Sequence, residues 1–186
     1  YSDWGDLTST KAPDGSLTQY VYDDKGLATK IVDAKDGVKH LAWTPMAQLA
    51  SYTDCSDKTT RFTYDGWGNL STVTDARGAV TRYVHDAQGR LLASTAADGA
   101  NTNYGYDENG MLQGIADALS RVTGFSFNSR GQLLRTIDKE QREVNFGYDN
   151  ALRLQRLVNE NGESFEFAYD QADRMVKLDA TIKENL

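Results

Sequence analysis

The stretch YDGWGNL, Tyr64 to Leu70, decides the fold. Its aspartate is either a site carboxylate or the opening residue of a turn, and kindred strings elsewhere in the chain choose between the two. "YDDKG" begins at Tyr22, "HDAQGRL" at His85, "YDENGML" at Tyr106 and "FNSRGQL" at Phe127. With each motif's aromatic as position one, copies start at 1, 22, 43, 64, 85, 106, 127, 148 and 169, always 21 residues apart, and the ninth stops at its eighteenth position. A fixed period of this length must be read before any local signal. The chain is expected to be one repeat array over residues 1–186.

The columns of the repeat state what each position does. Position two is Asp or Asn in seven copies (Asp23, Asp65, Asp86, Asp107, Asn128, Asp149, Asp170). Position five is Gly in six (Gly5, Gly26, Gly68, Gly89, Gly110, Gly131). Asp or Asn opens a type I turn because its side chain accepts from backbone two residues on, and a following glycine takes the positive φ that closes a hairpin bulge. The aspartates read as turn residues. A second, weaker turn starts at position twelve, as in "DARG" from Asp75 and "NENG" from Asn159.

Two turns per copy imply two strands. The first spans positions six to eleven and carries Leu at position seven (Leu70, Leu91 and Leu112 among seven such copies). The second runs from about position sixteen into the next position one, occupied by Tyr22, Tyr64, His85, Tyr106, Phe127, Tyr148 and Tyr169 among others. Position twenty is aromatic in seven of eight copies, and lying two residues before position one it shares a face with it. Positions seven and ten, both apolar, are three apart. Strict alternation cannot place them together, so a bulge in the first strand or an apolar residue on each face is expected.

These features predict an all-β fold of antiparallel hairpins, a ribbon of about 17 or 18 strands. A sheet that wide must curl, its ring-lined face being covered by its own wrapping or by neighbouring coils of a longer chain. At Leu152 and Asp173 the glycine slot is lost. A leucine at positive φ is strained, so the turn after Tyr148 is expected to be of a different type.

Charge and composition narrow the function. With 27 acidic against 20 basic residues and a formal charge of −7, a general grip on nucleic acid or anionic lipid is not expected. No apolar run approaches the roughly 18–20 residues of a membrane helix, and no signal-like segment opens the sequence. Catalysis by aspartate pairs is outweighed by the turn reading. A calcium roll would need a nine-residue pattern that a 21-residue period does not give. His85 stands in for a tyrosine ring, His40 lies on a strand, and Cys55 has neither a disulfide partner nor an activating histidine in its repeat. No metal, cofactor or catalytic residue is therefore assigned. Trp4 and Trp67, both at position four inside the first turn, are the candidate binding residues: a ring at a hairpin tip either packs on an adjacent coil or meets a sugar or partner.

The string Y-D-x-x-G-x-L at 21-residue spacing, with a second D-x-x-G and an aromatic before the next copy, closely resembles the YD repeat, also called the Rhs repeat. The resemblance covers the whole chain. It implies a long sheet spiralling into a hollow shell, found in bacterial Rhs and polymorphic toxins, insect toxin complexes and animal teneurins. In the bacterial members it implies a non-enzymatic container for a toxin cargo domain of the same polypeptide. The expected setting is then a secreted or cell-surface protein, cytoplasmic before export, that leaves by a route not encoded here. The sequence shows no D-P-x-G-type self-cleavage motif and reads as an internal segment of a shell. Its tail, "TIKENL", lacks the position-twenty aromatic and reads as a capping end or a boundary. Glycans are the alternative partner.

Overall fold

The computed structural model describes residues 1–2 and 5–182. They are all β, in two compact units, Tyr1–Gly99 and Ala100–Leu186. The first holds β1 (Ser9–Lys11), β2 (Leu17–Tyr22), β3 (Ala28–Val32), β4 (Val38–Trp43), β5 (Leu49–Thr53), β6 (Thr59–Tyr64), β7 (Leu70–Thr74), β8 (Val80–His85) and β9 (Leu91–Thr95). The second holds β10 (Asn101–Tyr106), β11 (Leu112–Ala116), β12 (Val122–Phe127), β13 (Leu133–Ile137), β14 (Glu143–Tyr148), β15 (Leu154–Val158), β16 (Ser164–Tyr169) and β17 (Met175–Thr181). Within each unit every strand pairs antiparallel with the next in sequence. The connections are as short as sequential hairpins require.

Both turns of the repeat have one geometry. In the second copy Asp23 N–H donates to Leu27 O (2.9 Å) and Gly26 N–H to Asp23 O (3.2 Å), while Asp23 Oδ1 accepts from the N–H groups of Lys25 (3.0 Å) and Leu27 (2.9 Å). The turn opened by Asp33 repeats this, with Asp36 N–H to Asp33 O (3.0 Å) and Asp33 N–H to Gly37 O (3.0 Å). It is a type I turn followed by one left-handed residue, Gly26 at φ 77° or Asp36 at φ 60°.

The turn after Tyr148 corrects the sequence-based expectation. It is not of another type: Leu152 N–H donates to Asp149 O (3.0 Å), Asp149 N–H to Arg153 O (2.9 Å), and Leu152 sits at φ 68°. Asp173 follows suit at φ 60°. The register pairs Tyr148 with Leu154, fixing a five-residue connection, and closing it with the strands' own twist demands a left-handed residue whatever its side chain. Tertiary register overrides the local preference of leucine.

The bulge lies in the first strand, as the spacing suggested. Gly105 pairs with Gly114, but Tyr106 pairs with Leu112, so Gln113 is the extra residue at position eight. The same shift recurs in the hairpins ending at Tyr22, Trp43, Tyr64, His85, Phe127, Tyr148 and Tyr169. Its consequence is registry of the apolar columns. Position seven faces position one (Leu70 on Tyr64, Leu112 on Tyr106) and position ten faces position twenty (Val73 on Phe62, Ile115 on Tyr104). Because positions one and twenty share a face, all four columns share it.

That face is the less exposed one: along β6 and β8 the alternation places Phe62, Tyr64, Tyr83 and His85 at intermediate burial, with Arg61, Thr63, Arg82 and Val84 exposed. Among the described residues none is fully buried. Each unit is a single layer in which the ring-lined face retains contact with its surroundings.

Candidate interaction surfaces

The ring-lined face is cross-braced at its polar tips. The hydroxyls of Tyr22, Tyr64, Tyr148 and Tyr169 donate to the carbonyls of Leu7, Leu49, Leu133 and Leu154 at 2.7–2.9 Å, and the Trp43 indole N–H does the same to Ala28 O at 2.8 Å. Each bond runs from position one back 15 residues to position seven of the copy before. The pairing of β3 with β4 reaches only from Val32–Val38 to Lys30–His40. Beyond it, the ring tip supplies the donor that the ladder does not. A tyrosine column thus serves as apolar body and polar tie together. Phe127, in the same slot, has the body without the donor.

At the rim, the carboxylates predicted as turn residues are occupied by their own backbone. Asp65 Oδ1 accepts from Trp67 N–H and Asn69 N–H, both at 2.9 Å, and Oδ2 from the Asn69 side-chain amide at 3.0 Å. The Asn69 amide, aided by these N–H groups and the nearby His85, holds the Asp65 carboxyl below the usual carboxylate range. At Asp75 the N–H groups of Ala79 and Arg77 have the same effect. Asp86, Asp107, Asn128 and Asp170 accept the same pair of backbone bonds, and Asp149 accepts from Arg153 N–H. A carboxylate so engaged is a structural acceptor, poorly placed to exchange protons with a substrate. Among the described residues no three His, Cys, Asp or Glu side chains gather as a metal site.

Successive first turns are tied along the rim by position six. Gln48 Nε2 donates to Gly68 O at 2.8 Å, and Gln132 Nε2 to Leu152 O at 2.9 Å. Arg153 Nη1 reaches Asp170 O at 3.1 Å and Asp173 Oδ1 at 2.7 Å. Of the two candidate tryptophans, Trp67 stands out from its turn with 81% of its surface exposed, as does Met46 one copy earlier at 79%. Trp4 lies outside the described residues, as do Lys183 to Leu186 of the tail. Cys55 is exposed.

The other face carries what the columns concealed. Positions nine and nineteen pair across the second hairpin, Lys30 with His40, Ser51 with Arg61 and Thr72 with Arg82, so these side chains share the face opposite the rings. Sequence reading passed over Arg61 and Arg82. The available signal was charge by column: the strands of the first unit contain five Lys or Arg (Lys11, Lys30, Lys39, Arg61, Arg82) and no Asp or Glu.

With this geometry in place, likeness to known proteins can be weighed. A family model described as Teneurin YD-shell matches residues 40–181, and one described as RHS Repeat matches residues 1–38. The curated protein "Toxin protein Tse5" of Pseudomonas aeruginosa is 40% identical over 60 residues, which are 31% of this chain and 4% of that protein. Among solved structures, TcdB2-TccC3-TEV aligns over 92% of this chain and 12% of its own, at 15% identity and a TM-score of 0.56. The Photorhabdus luminescens Tc holotoxin pore aligns over 91% of this chain and 9% of its own, at 16% identity and a TM-score of 0.53. At such identities the two structures share the fold, and this chain spans a small part of each relative. The YD-shell model covers more than half of the sequence, over the same bulged hairpins and tyrosine ties just described: the chain belongs to the YD-shell family of Rhs repeats.

Proposed function

We propose that this chain is a length of wall: a non-enzymatic segment of a YD-repeat shell that encloses or carries a toxin cargo domain of the same polypeptide, in a secreted or cell-surface bacterial Rhs-type protein. The observation that carries the reading is the disposition of the carboxylates. The repeating acids are committed to backbone N–H groups of their own turns, and the repeating rings to carbonyls of the copy before. Those commitments build an extendable sheet and tie up the turn acids and ring tips that they involve. A ring-lined face with no fully buried side chain among the described residues suits a wall whose inner or outer layer is another part of the parent. The test is protease protection in the whole parent protein. The cargo domain should resist cleavage within it and be cleaved rapidly once expressed alone. Equal cleavage in both forms would remove the container reading.

A second reading rests on Trp67, whose exposed indole at a turn tip could stack on a sugar ring. A glycan array probed with the chain and with Trp67→Ala separates it from the first. Binding lost in the variant supports a glycan-recognising surface, and no binding leaves the wall alone.

A further inference from the structure

We propose that the face of the first unit opposite the rings is a docking surface for an acidic, extended polypeptide segment, held by Arg61 and Arg82 and seated in a concavity beside Arg77. The binding stands on the chemistry of this face and does not depend on the shell reading.

Charge complementarity is the first argument. Of the strand cations in this unit, Lys39 lies on the ring face and reaches Asp33 at 3.6 Å. Lys30, Arg61 and Arg82 lie on the other, and among the described residues no carboxylate pairs with them. Among the described residues, the unit's acids lie outside its strands. The face is therefore cationic on a chain of net charge −7. Its cations are flanked by hydroxyls, Arg61 by Ser51 and Thr74, Arg82 by Thr72 and Thr95.

The second argument is shape. Arg77, Gly78, Val80, Arg82, Thr95 and Gly99 line a concavity of about 510 Å³. A Cβ built on Gly78 or Gly99 would meet nothing within 4 Å, so its glycine edges are open to an entering chain. Arg82 faces the hollow without a carboxylate partner among the described residues, Arg77 stands at its edge with its Nε 3.7 Å from Asp75, and a guanidinium can grip an entering carboxylate in the bidentate manner to which Arg is suited.

The apolar side chains on this face favour a polypeptide over other polyanions. Val84 (54% exposed) stands two residues from Arg82 on β8, and Leu17 (43%) and Val21 (49%) lie on β2 at positions seventeen and twenty-one. A nucleic acid or sulfated glycan would use the cations, leave these uncovered and meet acidic rims on both sides. Arg61 and Arg82 are two strands apart, about 10 Å, which a polyproline II segment spans in three residues, about 9 Å, with every third side chain on the same face. Acidic residues at every third position with small apolar or hydroxyl residues between them fit the row.

The experiment uses the 186-residue chain and a fluorescent twelve-residue peptide, Glu-Val-Thr repeated four times, followed by anisotropy. Arg61→Gln with Arg82→Gln should weaken binding by about tenfold or more. Arg135→Gln with Arg156→Gln removes the same charge from the second unit and should change it by less than about twofold. Circular dichroism confirms folding of each variant. Should the double variant unfold, Arg82→Lys, which keeps the charge but loses the guanidinium fork, should still weaken binding by about threefold or more, and undiminished binding would overturn the assignment. Absence of peptide binding, equal losses in the two double variants, or displacement of the peptide by a sulfated oligosaccharide or single-stranded DNA at lower concentration would each overturn the assignment.

Discussion

The two units solve the same turn with different chemistry. Among the described residues of the first, seven left-handed positions are glycine (Gly5, Gly15, Gly26, Gly68, Gly78, Gly89, Gly99) and three are not (Asp36, Ala47, Asp57). In the second, three are glycine (Gly110, Gly131, Gly162) and Ser120, Gln141, Leu152 and Asp173 are left-handed without being glycine. Each of these four is followed by an arginine whose Nε bonds the carboxylate that opens the turn: Arg121 to Asp117 (2.5 Å), Arg142 to Asp138 (2.7 Å), Arg153 to Asp149 (2.8 Å) and Arg174 to Asp170 (2.8 Å). The first unit's three non-glycine positions are followed by Gly37, Gln48 and Lys58, and its own clasp, Arg90 on Asp86, follows Gly89. The strand cations divide likewise. In the second unit Arg135 pairs with Glu143 (3.1 Å), Arg156 with Glu166 (4.0 Å) and Lys177 with Asp179 (2.6 Å), whereas Lys30, Arg61 and Arg82 of the first unit have no such partner among the described residues. The second unit applies its positive charge to holding itself together. The first relies more on glycine at its turns, and although Lys39, Arg77 and Arg90 are paired, Lys30, Arg61 and Arg82 on its strands stay available.

Acid should break this difference most strongly. The folded-state carboxyls of Asp117 and Asp138 are lowered chiefly by the arginine clasps, and those of Asp33, Asp54 and Asp75 by backbone N–H groups. A lowered folded pKa contributes stability that is present above the unfolded value, about 3.9, and is lost as pH falls through the folded one. Both units should therefore weaken below about pH 4. Amide exchange in β12–β17 should accelerate more than in β2–β8, because protonation there also releases the arginines. At neutral pH, added salt should weaken the second unit more than the first, which has fewer ion pairs (Lys39–Asp33, Arg77–Asp75 and Arg90–Asp86). Uniform acceleration over all strands would mean that the clasps add nothing.

The next effect is backbone strain in the first unit. Gly68 has φ 89°, and a Cβ there would lie 3.4 Å from Gln48 Nε2. Gly68→Val should cost about 1–3 kcal/mol in urea unfolding. A wild-type midpoint would show that this turn accepts a branched residue and that glycine is not what closes it. Removal of a single ring tie, Tyr64→Phe, should cost about 0.5–1.5 kcal/mol, since the Leu49 carbonyl loses its donor while the ring remains.

Much of this was legible in the sequence because a 21-residue period averages out local noise. The turn columns, the shared face of positions one and twenty and the bulge implied by positions seven and ten all describe the local chain, and the structure has them. Three things were not legible. Leu152 reads as a turn breaker, yet register fixes its φ from outside the turn. The tyrosine hydroxyls bond across 15 residues to carbonyls whose need for a donor depends on where the ladder stops. The cationic face emerges only when columns nine and nineteen are known to pair, since along the chain Lys30 and His40 look unrelated.

The smallest effect is the sharpest test of the comparison, because it asks whether a clasp compensates for strain or merely accompanies it. Leu152 is held left-handed while Arg153 grips Asp149, reaches Asp173 and stacks 4.7 Å over the Tyr169 ring. Leu152→Gly removes the Cβ clash and should stabilise the chain by about 0.5–1 kcal/mol, the strain relieved exceeding the entropy added to the unfolded chain. If the clasp is what makes the leucine tolerable, Arg153→Gln should destabilise the wild type more than it destabilises the Leu152→Gly background, and a double-mutant cycle will show that coupling. Strict additivity would separate the two features: register alone would then hold Leu152 in place, and the arginines of the second unit would act only as ties between neighbouring turns.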